Sequence, residues 1–317
     1  MNIAQISNLG SRGASLLALI IQVAPFLQAA EFRLDASSHL VIKDADTSTG
    51  TAARAEGNDA QIDAQVPTTT ARSLALYTRE ISIDEVRTLD KNVGISPAGL
   101  KLFADRRLTG LAGKLAIEIQ DDCFIGLDAS NEMLGLGVFV KDATSGGQTT
   151  KLGFTTAELA AMNTQISLQL NDTTNQNSFV ESLIKEISNV PGANALVMNS
   201  NLYARMSTIA YRIGAAGETR NSFGQPVKTF NNVPMIAVPT TTITQTESDG
   251  SNSDCTSMYI LRFAEDQGVC FNTNSGFAFT DFPDNPELPG QKARMSFYLN
   301  LVCERTDAMK RLSRIRL

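Results

Sequence analysis

The chain has 317 residues, and 27 Lys and Arg against 33 Asp and Glu give a net charge of −6 at pH 7. A hydrophobic share of 43% and a charged share of 19% exclude a disordered chain, and the acidic balance argues against a fold that grips nucleic acid with its whole surface. One histidine (His39) excludes a multi-histidine metal site, and four cysteines (123, 255, 270, 303) without a CxxC spacing signal neither a zinc knuckle nor a redox dithiol, so they are expected to be buried thiols.

Residues 15–30 carry an apolar run that looks like the core of a signal peptide. Gln22 interrupts it, and Arg12, the one positive residue ahead of it, sits late. It is too short and too polar to span a bilayer, so the reading is an amphipathic arm that docks on something, with Leu16, Ile20 and Phe26 as its candidate docking residues. Residues 31–43 alternate loosely as a strand, and Leu74–Ile83 reads as another. The polar stretch 44–71 between them is too long for an ordinary connection, which suggests an extended hairpin leaving the body. Its charged residues Arg54, Glu56, Asp59, Asp63 and Arg72 are candidates to pair with opposite charges on neighbours.

Ser96-Pro97 starts a helix, with Ser as N-cap and Pro at the first helical position. Leu100, Ala104, Leu108, Leu111, Leu115 and Ile119 then recur at steps of three and four, predicting one long amphipathic helix to Asp122, with Gly110 and Gly113 allowing a bend or a close neighbour. Two capping-box patterns, Thr155-x-x-Glu158 and Ser178-x-x-Glu181, predict helices through Ile166 and Ile187, the second stopped by Pro191-Gly192. Leu196–Met198 reads as a buried strand, and Asn199-Ser200-Asn201 caps a helix through Ile213. Val227–Phe230 and Val233–Val238 flank Asn231-Asn232, a tight hairpin turn. Residues 240–254 read as a loop, then 258–263, 269–271 and 277–279 as strands, 282–290 as a proline-stiffened crossover, and 294–305 as a long final strand. The basic end, Lys310–Leu317, reads as solvated or as touching DNA or acidic neighbours.

No Walker loop, G-x-S-x-G elbow or HExxH is present, and Gly135-Leu136-Gly137 is a turn or kink rather than a dinucleotide loop. Asp44 and Asp46, or Asp281, Asp284 and Glu287, match no standard calcium loop. The expectation is a protein that is not an enzyme and carries no cofactor or metal. The layout says more than any motif. An apolar arm and a protruding hairpin make sense when neighbouring copies receive them, which points to a self-assembling subunit.

Four segments carry a resemblance. Val86–Pro97 leads into the long helix; Ala195–Tyr203 runs strand, Asn, helix; Asn232–Pro239 is a strand with Asn232 where Gly is common; and Leu299–Arg305 closes the chain's last long strand. In this order they resemble the tailed-bacteriophage major capsid proteins of the Hong Kong 97 fold. The resemblance implies an α+β fold with an N-arm (1–30), a peripheral domain (31–180) holding an extended loop (40–74) and a spine helix (96–122), an axial domain (181–289) at capsomer centres, and a closing strand of the peripheral domain (290–317). It implies pentamers and hexamers that form an icosahedral head around double-stranded DNA, assembled in the host cytoplasm. The partners would be other copies of the chain, a portal protein, a separate scaffold protein, and DNA held by weak non-specific contact; no membrane is involved. Glu304 and Arg305 complete the candidate assembly contacts. Some members crosslink through Lys–Asn isopeptide bonds promoted by a Glu; Glu304 matches that Glu, but Phe297 stands at the Asn position and residues 44–90 hold no Lys, so no crosslinking is expected. An encapsulin-like nanocompartment shell shares the fold and is the alternative. A secreted binding protein or enzyme, with residues 1–30 as signal peptide, is a second.

Overall fold

The computed structural model describes residues 11–34, 38–43, 68–84, 97–127, 132–140, 154–220, 224, 226–265, 267–282 and 290–317. Helix α1 (Ser11–Val23) is followed directly by α2 (Pro25–Ala29), with Pro25 at the first turn, where a missing N–H costs nothing. Strand β1 (Phe32–Leu34) follows, then β2 (Ser38–Lys43), β3 (Thr68–Ser73) and β4 (Ala75–Asp84). Helix α3 (Pro97–Ile125) has 29 residues, a rod of about 44 Å. The chain continues through α4 (Leu136–Phe139), α5 (Thr156–Ala161), β5 (Asn163–Gln169), α6 (Thr173–Ser188), β6 (Ala195–Asn199) and α7 (Ser200–Arg212). It ends in strands β7 (Ala216–Arg220), β8 (Pro226–Phe230), β9 (Val233–Val238), β10 (Thr256–Leu261), β11 (Val269–Thr273), β12 (Phe277–Phe282), β13 (Gly290–Cys303) and β14 (Met309–Arg316).

Among the described residues these strands form three sheets. The first has five strands organised by β13, the longest. β4 runs antiparallel along one edge of it, from Gly290↔Asp84 to Leu299↔Ala75. β12 pairs with its first half and β11 with its second, and β1 adds parallel to β11. The second sheet has seven strands in the order β5-β14-β10-β6-β9-β8-β7. Its central strands β6 and β10 are buried along their whole length, as strands covered on both faces are. Helices α6 and α7 cover one side through Phe179, Leu183, Leu202, Met206 and Ile209. The third sheet is the hairpin β2–β3 alone.

Helix α3 forms as its sequence pattern requires: Leu108, Leu115 and Ile119 are buried, and Arg106, Arg107 and Lys114 face out. Gly110 and Gly113 have open space where a Cβ would lie, so they do not admit a close neighbour. Gly135 and Gly137 do: a Cβ on Gly135 would lie 2.5 Å from the Phe124 carbonyl carbon, so this pair lets α4 press on the end of α3.

Five expectations are corrected. The capping box at Thr155 is present, with the Glu158 amide donating to Thr155 Oγ1 at 3.3 Å, but α5 stops at Ala161 and Ile166 lies on β5 instead. Parallel pairing with β14 takes over this stretch. Helix α6 begins earlier than Ser178, because Asp172 caps it by accepting the Asn175 amide at 2.8 Å. The basic end is not solvated: β14 lies inside the seven-stranded sheet between β5 and β10, with Leu312 and Ile315 fully buried. The sheets also cut across the expected boundaries, since β11 and β12 join the first sheet and β5 and β14 the second.

The fifth correction is the arm. α1 lies on α3, and Leu16, Ile20 and Phe26 sit in the chain's own core, not on its surface. The Phe26 ring contacts Phe124, Phe263 and Phe271 at centroid distances of 5.0, 5.4 and 6.0 Å. An apolar helix buries itself wherever an apolar face is offered, and α3 with the five-stranded sheet offers one within the same chain.

Candidate functional site

No group of three or more His, Cys, Asp or Glu placed to hold a metal occurs among the described residues, and all four cysteines are buried free thiols. No helix among the described residues is long and apolar enough to cross a membrane. The candidate features are surfaces, beginning with the hairpin β2–β3. Its strands pair from Ser38↔Ser73 to Lys43↔Thr68, and neither pairs with another described strand. Arg72 stands opposite His39 on it, while Arg54, Glu56, Asp59 and Asp63 lie outside the described residues.

A second surface is the end of α7. Asn199 caps this helix: its Oδ1 accepts the Leu202 amide at 2.8 Å while its Nδ2 donates to Thr256 Oγ1 at 2.9 Å. The far end carries Tyr211, 84% exposed, with Ile213 beside it, and leads into β7, exposed at every residue. These exposed apolar side chains make the end of α7 a candidate contact surface.

Glu304 and Arg305 are engaged within the chain. The Arg33 guanidinium donates to Glu304 Oε1 at 2.7 Å and to Asn272 Oδ1 at 3.1 Å. Arg305 pairs with Asp307 through Nε at 2.9 Å and Nη2 at 3.1 Å. Phe297 is fully buried and packs edge-on against Phe277.

Two polar networks hold the body that presents these surfaces. In the first, buried Arg311 on β14 donates to Glu247 Oε1 at 2.5 Å, to Ser257 Oγ at 3.0 Å and to the Val140 carbonyl. It thereby ties the last strand to the loop before β10. Sequence reading missed it because Glu247 and Arg311 are 64 residues apart. In the second, at the end of α3, the Tyr77 hydroxyl donates to Asp122 Oδ2 at 2.9 Å and accepts the Met133 amide at 3.2 Å. Burial, opposed by this hydrogen bond but helped by Glu132, Glu118 and Asp121, raises the Asp122 carboxyl to about 6. Neighbouring Asp121 accepts from Thr242, which links α3 to the seven-stranded sheet's loop.

A cleft of about 520 Å³ opens where α2 meets β8 and β9. The β8–β9 ladder exists only at Phe230↔Val233 and Thr229↔Pro234, after the Asn231-Asn232 turn, whose φ values of 48° and 66° fit a primed hairpin turn. Beyond Pro234 the strands separate, and Pro226, Val227, Met235, Ile236 and Ala237 line the gap. Arg220 also lines it, and no acidic residue does.

No protein-family model matches the sequence, and no curated protein matches it. Among solved structures the chain is similar to the holo-SrpI encapsulin complex of Synechococcus elongatus, at 14% identity over 92% of this chain and 87% of that one, with a TM-score of 0.56. It is similar to the capsid of an empty GTA particle at 12% identity, 92% and 90% coverage and a TM-score of 0.56. It is also similar to the capsid of the Myoviridae phage XM1 at 12% identity, 91% and 90% coverage and a TM-score of 0.51. The likeness runs through nearly the whole of each chain, and the fold is the α+β, Hong Kong 97-like fold of such shells.

Proposed function

We propose that this chain is the major capsid protein of a tailed phage, a structural subunit and not an enzyme, that assembles as pentamers and hexamers into the icosahedral head. The observation that carries this reading is end-to-end likeness to shell proteins, about nine tenths of both chains, in a molecule whose hairpin β2–β3 pairs with no other described strand. In this reading the five-stranded sheet with α3 forms the peripheral part, and the seven-stranded sheet with its exposed α7 end forms the axial part at capsomer centres. The hairpin reaches across to a neighbour. Each contact need be only modest, because a closed shell engages many per subunit.

The shell encloses double-stranded DNA, stands in the virion, and is built in the host cytoplasm with a separate scaffold protein and a portal. The net charge of −6 suits an inner wall that holds DNA weakly. Electron microscopy and sedimentation of the purified protein test the reading. Closed particles or ring-shaped capsomers are expected, and a monomer that persists with or without a scaffold protein rejects it.

The second reading, a nanocompartment shell, is favoured by the likeness to the encapsulin complex at a TM-score equal to that of the GTA capsid. The contents of particles purified from the native source separate the two: nuclease-protected DNA supports the phage head, enclosed protein the compartment.

A further inference from the structure

The seven-stranded sheet is split. Continuing the β8–β9 register past Thr229↔Pro234 would set Lys228 against Met235, Val227 against Ile236 and Pro226 against Ala237, and none of these pairs forms. Pro226 has no N–H to offer Ala237, so the far end of the gap cannot be closed by a full ladder. The alternation of an antiparallel ladder would turn the amide and carbonyl groups of Met235 and Ala237 toward the gap. The gap has the dimensions of a binding cleft, about 520 Å³, and mostly apolar walls. One fixed charge lines it: Arg220, opposite Pro226 on β7 and without an ion pair among the described residues. The nearby basic group Lys228 stands opposite Glu218 in the strand register and lies 6.0 Å from the Tyr203 ring, outside the lining of the gap.

An occupant that fits is an extended segment, apolar on one face, with a carboxylate on the other. The sequence holds one. Gln61-Ile62-Asp63-Ala64-Gln65-Val66 alternates strictly, with Ile62, Ala64 and Val66 on one side and Asp63 between Gln61 and Gln65 on the other. It belongs to the stretch 44–67, which carries five carboxylates (Asp44, Asp46, Glu56, Asp59, Asp63) against one arginine (Arg54). That stretch is borne by the hairpin β2–β3, which pairs with no other described strand of its own chain.

We propose that residues 61–66 of one copy insert as an added strand between β8 and β9 of a second copy, with Asp63 paired to Arg220. This rests on the shell reading and names the surface on which the hairpin of one subunit is received. Strand addition supplies main-chain hydrogen bonds for affinity, and the alternating side chains supply register. The split in the sheet is then the seat of the contact that joins neighbouring copies.

The test uses the full chain. Ala64→Cys and Val227→Cys are made in separate preparations, mixed, assembled and oxidised, with each variant alone as the control; the four native thiols are buried. The expected result is a reducible band of twice the subunit mass in the mixture only. Arg220→Glu in the receiving copy abolishes the band, and Asp63→Arg in the inserting copy restores it. Particles that form without the band overturn the inference and leave the shell reading standing. A disulfide that forms only when both cysteines share one chain, or a band linking Val227→Cys to another polypeptide, also overturns it. Wild-type protein that never assembles removes the shell reading and this inference together.

Discussion

Replacing Phe26 with alanine separates two pictures of the N-terminal segment. If the segment served only to dock on a neighbour, the change would weaken assembly and leave the subunit's own stability untouched. The structure places Phe26 at zero exposure with three aromatic rings around it. Removing a buried Phe side chain forfeits about 3 kcal/mol of transfer free energy. The lost ring contacts add about 1 kcal/mol beyond area, and the cavity left between α3 and the five-stranded sheet relaxes only in part. The expected loss is about 4 kcal/mol, within the ~3–5 kcal/mol usual for such truncations. Urea unfolding of unassembled subunits, followed by circular dichroism, reads it directly, with exposed Gln22→Ala as the control and expected within about 0.5 kcal/mol of wild type. A loss below about 1 kcal/mol for Phe26→Ala would refute burial of this segment in its own subunit.

Asp122→Asn keeps an acceptor for the Tyr77 hydroxyl and removes a carboxylate whose pKa is raised from 3.8 to about 6 in the folded chain. The folded state therefore binds more protons than the unfolded one between these values, so this group lowers stability as pH rises from about 4 to 6. The full shift would be about 3 kcal/mol, and partial exposure cuts it to on the order of 1–2 kcal/mol. Denaturation across this range should show the variant more stable at pH 7 and equal to wild type near pH 4; an advantage that grows on acidification would be the wrong sign. Arg311→Ala leaves half-buried Glu247 without its partner and should cost about 2–4 kcal/mol in chemical denaturation, whereas Arg311→Met with Glu247→Gln should recover most of it; equal losses would mean that the charge pair is not what matters. Asn199→Ala removes both the cap of α7 and the bond to Thr256, and should cost about 2 kcal/mol in the same assay. Tyr211→Ala should leave subunit unfolding unchanged and reduce capsomer formation in sedimentation; a stability loss above about 1 kcal/mol would place that ring in a fold contact instead.

Local rules read well where local chemistry decides. Pro97 opens α3, Asn199 caps α7 and Asn231-Asn232 turns β8 into β9, each from a handful of neighbouring residues. They failed where a distant partner decides. The capping box at Thr155 suggested a helix through Ile166, but Asn163–Gln169 pairs parallel with Arg311–Arg316, nearly 150 residues on. The charges of β14 hid a strand because their counter-charges, Glu247 and Asp254, lie more than 60 residues upstream. The candidate assembly residues split by the same logic. Glu304 and Arg305 carry charges that look available in one dimension, and Arg33 and Asp307 claim them in three. The cleft left only the trace of Pro226 and Pro234, two prolines in strands that otherwise alternate as a hairpin.

The place of β14 has a consequence for the timing of assembly. A chain emerging from the ribosome can form the hairpin β2–β3, helix α3 and the β8–β9 turn early, but β5 and β10 flank a gap that only residues 309–316 fill. The seven-stranded sheet is therefore closed by the end of the described chain, and the Arg311 network that fastens its loop arrives with that strand. A subunit cut short before Met309 would keep its apolar strands β6 and β10 but lose the strand between β5 and β10. A chain cut before β14 is therefore expected to leave the facing edges of β5 and β10 open, two unpaired strand edges that favour association with other chains over a finished fold.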